Sequence, residues 1–278
     1  RSGLSILVDH PRLYWNNGCT PGTDWIRFTP LRKPKDKTWT AKEDARYISP
    51  VLGLPGYRHT IGIARAWHFL TVPFFVLNGV VFLILLFYTD QWHRLVPLSW
   101  KIIPDSWIIF VHYSTFNMPV EPNGFYHFNA LQQISYFGVV FILAPLAMLT
   151  GMAMSPAIEN RFHWYPKIFG NRQSARSIHF LIMITYVFFI IIHVTLIAVT
   201  GLVRNMNHIV LGTDDSSNLT GLYIGIGIIL ATTAFCFLAH WLSWRKPRLL
   251  QHLNAAINGN LWSITLNRFK PKAYYEKK

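Results

Sequence analysis

Four stretches of this chain, near residues 69–88, 129–150, 178–201 and 219–242, are apolar and contain no Asp, Glu, Lys or Arg. A helix of about 20 residues crosses the hydrocarbon core of a bilayer, and inside that core each backbone N–H and C=O must be paired within its own segment. The stretches are therefore expected to be transmembrane helices rather than strands of an open sheet. Composition agrees, with 51% hydrophobic residues and only 14% charged ones. The expected fold class is all-α and integral to the membrane, a four-transmembrane-helix bundle.

The formal net charge of +14 could suggest a nucleic-acid partner, but the location of the charge argues against it. Lys and Arg number 11 before the first stretch, two in the loop 89–128, four in 151–177, one in 202–218 and eight after 242. When sides alternate, 23 fall on one face and three on the other. The positive-inside rule then places both termini in the cytoplasm. Basicity here reports topology and attraction to anionic membrane lipid, with no nucleic acid implied. Three regions follow: an irregular cytoplasmic segment at 1–58, the four-helix domain at 59–245 and a basic cytoplasmic tail at 246–278.

The connections carry further expectations. Loop 89–128 is long for a bundle and holds Trp92, Trp100 and Trp107, so a short interfacial helix around WIIFVHY is expected there. Pro145 should disturb the second span. Gly221, Gly225 and Gly227 in the fourth suit close helix packing. The tail segment LLQHLNAAI has the spacing of a short amphipathic helix. Cys19 and Cys236 lie in unrelated regions, so neither a disulfide nor a cysteine metal site is expected.

Chemistry is concentrated in histidine. His179 and His193 lie in one uncharged run, IHFLIMITYVFFIIIHVTLIAV. Fourteen residues span roughly 21 Å of helix and return to within about 40° of the starting direction. Both rings thus face the same way at two depths, and imidazoles at such depths are read as functional. A short repeat supplies a partner for the lower ring: Arg65-Ala-Trp-His68-Phe-Leu and Arg176-Ser-Ile-His179-Phe-Leu share the pattern R-x-x-H-F-L. Both helices rise from the same side, so His68 and His179 can face each other across one haem, with Arg65 and Arg176 one turn nearer water to bind its propionates. For His193 the favoured partner is His127, on a second span extended back to Pro122, with His112 as the alternative. Isolated histidines such as His59, His93, His163, His208 and His252 are read as ordinary hydrogen-bonded side chains.

At these residues the sequence resembles the prokaryotic di-haem cytochrome b membrane subunits of formate dehydrogenases, nickel-iron hydrogenases and thiosulfate reductases. The stretches FNALQQISYFGVVFILAPLAMLTGMAMSP and FGNRQSARSIHFL are similar to members found beside molybdopterin oxidoreductases. The resemblance implies a bacterial inner-membrane location, two b-type haems held by His68, His127, His179 and His193, and iron as the metal. It also implies electron exchange between quinone and an extracytoplasmic oxidoreductase subunit of molybdopterin, iron–sulfur or hydrogenase type, or a cytochrome c. This sequence departs from the formate and hydrogenase relatives in placing its paired histidines on the third span rather than the fourth.

A quinone site is expected at the cytoplasmic end near Arg172, Gln173 or His240. Two other function classes compete. A histidine-relay transporter would need acidic partners inside the spans, which have none. A structural anchor of a respiratory or photosynthetic assembly, with incomplete haem loading, would place function in the N-terminal segment and the Trp-rich loop.

Overall fold

The computed structural model describes residues 2–20, 22–32, 61–117 and 123–259. In chain order the helices are α1 (Ser2–Asp9), α2 (Ile61–Tyr88), α3 (Ile102–Ser114), α4 (Ala130–Ala153), α5 (Arg172–Val199), α6 (Leu202–Val210), α7 (Thr220–Arg245) and α8 (Pro247–Asn254). A two-residue antiparallel pair, β1 (Arg12–Leu13) with β2 (Ile26–Arg27), lies between α1 and α2. Four of these helices have the length and apolar character to cross a membrane, over Ala64–Tyr88, Ala130–Ala153, Arg172–Val199 and Thr220–Ala239. Their large side chains face outward: Phe74, Leu77, Ile84, Phe188 and Leu230 each expose more than half of their surface. An apolar surface of that extent is a liability in water and the required one in lipid.

The chain divides into two compact units. The first comprises Arg1–Asn78, Ala147–Met183 and Phe235–Lys278. Here the N-terminal segment, expected to be irregular, begins with the helix α1 and folds onto the first two turns of α5. The Ser174 hydroxyl donates to Trp15 O at 2.6 Å, Asn171 Nδ2 donates to the same carbonyl at 2.8 Å, and Ser177 donates to Tyr14 O at 2.7 Å. Trp25 Nε1 in turn donates to Ser177 Oγ at 2.8 Å. Phe180 packs against both Trp25 and Phe28, with ring centroids 6.2 and 5.5 Å apart. Polar start RQSARS thus continues α5 below its apolar run, because the N-terminal segment satisfies it. Gly170, at φ 86°, makes the turn that leads into α5.

The second unit comprises Gly79–Leu146 and Ile184–Ala234. A capping box starts α4: Asn129 Oδ1 accepts from Gln132 N at 2.9 Å while Gln132 Oε1 accepts from Asn129 N at 3.0 Å. The helix α3, where a short helix was expected in the Trp-rich loop, is joined to this start by Asn129 Nδ2 donating to Tyr113 Oη at 3.0 Å. Residues Gly138–Leu143 of α4 form a π-helical stretch just before Pro145, in which Ala144 N donates to Val139 O. The wider turn is how this helix accommodates a proline that cannot donate. Tyr186 Oη of α5 donates to that same Val139 carbonyl at 3.3 Å.

Of the three span-four glycines, Gly221 and Gly225 meet α6 rather than another span. A Cβ at Gly221 would lie 2.9 Å from Asn207 Cα, one at Gly225 would strike the Met206 methyl, and one at Gly227 would meet nothing within 4 Å. Asn207 is fully buried and donates to Asp215 O and Asn218 O, each at 2.7 Å.

Candidate functional site

In the first unit the R-x-x-H-F-L repeat brings its two histidines together. The rings of His68 on α2 and His179 on α5 stand 6.3 Å apart between centroids, with their planes at 85°. Two imidazoles sharing one metal, each bound at about 2 Å with a ring radius of about 1 Å, would stand about 6 Å apart. The spacing therefore fits a bis-histidine centre.

The hydrogen bonds fit as well. His179 Nδ1 lies 2.9 Å from Thr150 Oγ1 of α4, and His68 Nδ1 lies 3.1 Å from Ser2 Oγ of α1. Each ring is engaged through Nδ1, so Nε2 is the nitrogen with which it could bind a metal. A metal-bound histidine characteristically has its other nitrogen engaged in this way. Gly151 lies beside the pair, where a Cβ would be 3.6 Å from His179 Cε1. Neither Ser2 nor Thr150 was anticipated from the sequence. Thr150 stands out only as a hydroxyl near the end of an apolar span, and Ser2 carries no signal at all.

The two arginines of the repeat differ. Arg65 is exposed, its guanidinium carbon 5.8 Å from the Phe69 ring centroid. Arg176 is turned into the protein, where it donates to Arg12 O at 3.0 Å and to His10 O. These bonds use two of the five guanidinium N–H groups and leave three.

In the second unit His193 is half-buried, and its ring stacks on Phe189 at 5.4 Å and meets Tyr136 of α4 edge-on at 5.9 Å. No ring contact joins it to His127 or His112 among the described residues. α4 does not extend back to Pro122, which lies outside the described residues; it starts at Ala130 behind the Asn129 cap. His127 therefore sits in an exposed turn, its N–H donating to Asn123 O at 2.9 Å. His112 is half-buried on α3, its Nδ1 3.2 Å from Asn117 Nδ2.

Of the expected quinone-site residues, Arg172 is engaged, with Nε donating to Met154 O at 2.9 Å and Nη1 3.5 Å from Glu159. Gln173 Oε1 is buried and accepts no hydrogen bond among the described residues. His240 lies on α7, and its side chain is outside the described residues, as is the whole of His59. His93 and His208 each place Nε2 beside a carboxylate as ordinary polar histidines, at 3.2 Å from Asp90 and 2.6 Å from Asp214.

A helical membrane protein with two half-buried histidines on different helices, their rings at the spacing of a bis-histidine centre, points to a class, the membrane b-type cytochromes. Residues 22–212 match the family described as prokaryotic cytochrome b561, and the chain belongs to that family. It is a multi-pass membrane protein of a haem-binding, electron-transferring type. Over 140 residues it is 26% identical to a protein of Azospira oryzae that carries the provisional name protein-methionine-sulfoxide reductase subunit YedZ1. That alignment covers 50% of this chain and 66% of the relative. No solved structure matches the chain.

Proposed function

We propose that this chain is a di-haem b cytochrome that passes electrons between the quinone pool and an oxidoreductase subunit on the extracytoplasmic face of a bacterial inner membrane, with both of its termini cytoplasmic. The observation that carries the reading is the His68–His179 pair, its rings 6.3 Å apart and each Nδ1 hydrogen-bonded to a hydroxyl. These two residues would hold the inner haem b. Arg65, exposed at the start of the repeat, would bind a propionate, and the three remaining N–H groups of Arg176 would serve a second. Haem bound this way supplies one-electron transfer, and two axial histidines leave no open coordination position.

His193 would hold the outer haem, with His127 or His112 opposite. The half-burial of His112 on a helix favours it over His127, whose turn is exposed. Gln173, whose buried carbonyl oxygen has no hydrogen-bond partner among the described residues, is the best supported contact for a quinol hydroxyl. The similarity to a sulfoxide reductase subunit favours a catalytic partner subunit of oxidoreductase type over a soluble cytochrome c.

The test is a reduced-minus-oxidised optical spectrum of the purified chain with haem counted per polypeptide. Two b-type haems are expected. His179→Ala should remove the inner one and His193→Ala the outer, and His112→Ala and His127→Ala decide the fourth ligand. Absence of b-type absorbance in the intact protein would refute the reading.

A further inference from the structure

The inner histidine pair draws on a part of the chain outside the family match. That match begins at residue 22, whereas α1 spans Ser2–Asp9. The first turn of α1 reaches the level of the pair on α5: a Cβ on Gly3 would lie 3.2 Å from Met183 Sδ, one turn beyond His179. Glycine at this position makes the approach without displacing the Met183 side chain, and Ser2 Oγ then lies 3.1 Å from His68 Nδ1. From the other side Thr150 Oγ1 stands 2.9 Å from His179 Nδ1.

The direction of the second bond can be worked out. The Thr150 hydroxyl also lies 3.2 Å from Ala147 O, an acceptor for its single proton, and with the proton placed there its oxygen accepts from His179 Nδ1–H at 2.9 Å. In that arrangement His179 takes the tautomer whose Nε2 carries the lone pair a metal needs. For His68 the same tautomer makes Ser2 Oγ the acceptor. A ring that donates its Nδ1 proton to an oxygen becomes a stronger base at Nε2, which favours the ferric state of the bound iron.

We infer that Ser2 and Thr150 are positioning residues of the inner haem, two hydroxyls that accept the Nδ1 protons of His68 and His179 and hold down its midpoint potential. This rests on the proposal that His68 and His179 are its axial ligands. The N-terminal helix is then a working part of the redox site, and this chain adjusts one of its centres with one residue inside the family match, Thr150, and one outside it, Ser2. The shorter bond, at Thr150, carries the larger effect.

The experiment is a potentiometric titration of the full-length protein in detergent, with haem counted by pyridine haemochrome and low-spin ferric signals followed by electron paramagnetic resonance. Ser2→Ala and Thr150→Ala are expected to keep both haems and to shift the ferric-to-ferrous balance of the inner one by three- to tenfold toward ferrous, a rise of about 28 to 59 mV. The outer haem should not move. Ser2→Thr and Thr150→Ser, which keep the hydroxyl, should keep the wild-type potential and signal, and should restore them if an alanine variant fails to load haem. Full haem content with an unmoved inner potential in both alanine variants, or a shift reproduced by the hydroxyl-keeping variants, overturns the inference while leaving the ligand assignment intact. Lack of haem in the unaltered protein would instead defeat the ligand reading itself.

Discussion

Replacing Ser177 by alanine should release the N-terminal segment from α5. Ser177 is fully buried, and its hydroxyl both donates to Tyr14 O at 2.7 Å and accepts from Trp25 Nε1 at 2.8 Å. The substitution removes two hydrogen bonds of about 1 kcal/mol net each and leaves the indole N–H without its acceptor, for a total of about 2–3 kcal/mol. Since 1.4 kcal/mol is a factor of ten, local opening should become about 30- to 150-fold more frequent. Hydrogen exchange reads this directly. The amides of Trp25 and Phe28, which donate to Leu13 O and Pro11 O, should exchange faster by that factor, with those in the middle of α5 unchanged. The internal control is Ser174→Ala, which should cost about 1 kcal/mol or less, because Trp15 O retains its bond from Asn171. Equal effects from the two substitutions, or less than a twofold change for Ser177→Ala, would refute the reasoning.

Three other outcomes are expected. Asn129→Ala removes the capping box and should cost about 1–2 kcal/mol, seen as a lower Tm and earlier exchange at the first turn of α4. Gly221→Ala forces a Cβ onto the Asn207 backbone and should destabilise by about 1–3 kcal/mol, while Gly227→Ala, with open space around it, should leave thermal stability unchanged. Hydrogen bonds from Arg204, at 2.5 and 2.8 Å, and then His208 hold the Asp214 carboxyl well below its usual range. The stabilisation is therefore complete above the ordinary carboxylate pKa and is lost as pH falls below it toward the depressed value. Tryptic cleavage at Arg204 should rise on acid exposure in the unaltered protein, and Asp214→Asn should be cleaved as readily at neutral pH.

The four spans are legible in the sequence because one rule, the exclusion of charge over about 20 residues, is enforced along their length. Their boundaries are less so. α5 begins at Arg172 rather than near residue 178, since its polar first turns are satisfied by carbonyls of Trp15, Tyr14 and Arg12, residues no local pattern connects to it. α1 has only eight residues, too few for a periodicity to stand out. The meeting of His68 and His179 was readable because the same six-residue pattern begins both helices. The Nδ1 partners were not, as a hydroxyl's role depends on what it faces. The start of α4 turned on Asn129 and Gln132, a capping signature present in the sequence that displaces His127 from the helix.

The seam between the N-terminal segment and α5 also bears on the order of assembly. Its bonds join residues 152 to 166 positions apart. The segment made first therefore cannot dock until the third span has been made and inserted, and contacts of such sequence separation are slow to close. His179 meets His68 only at that stage. The histidine pair is thus completed late in biogenesis, which leaves an interval, after the spans are in the bilayer and before the N-terminal segment closes, in which a bulky planar group can enter.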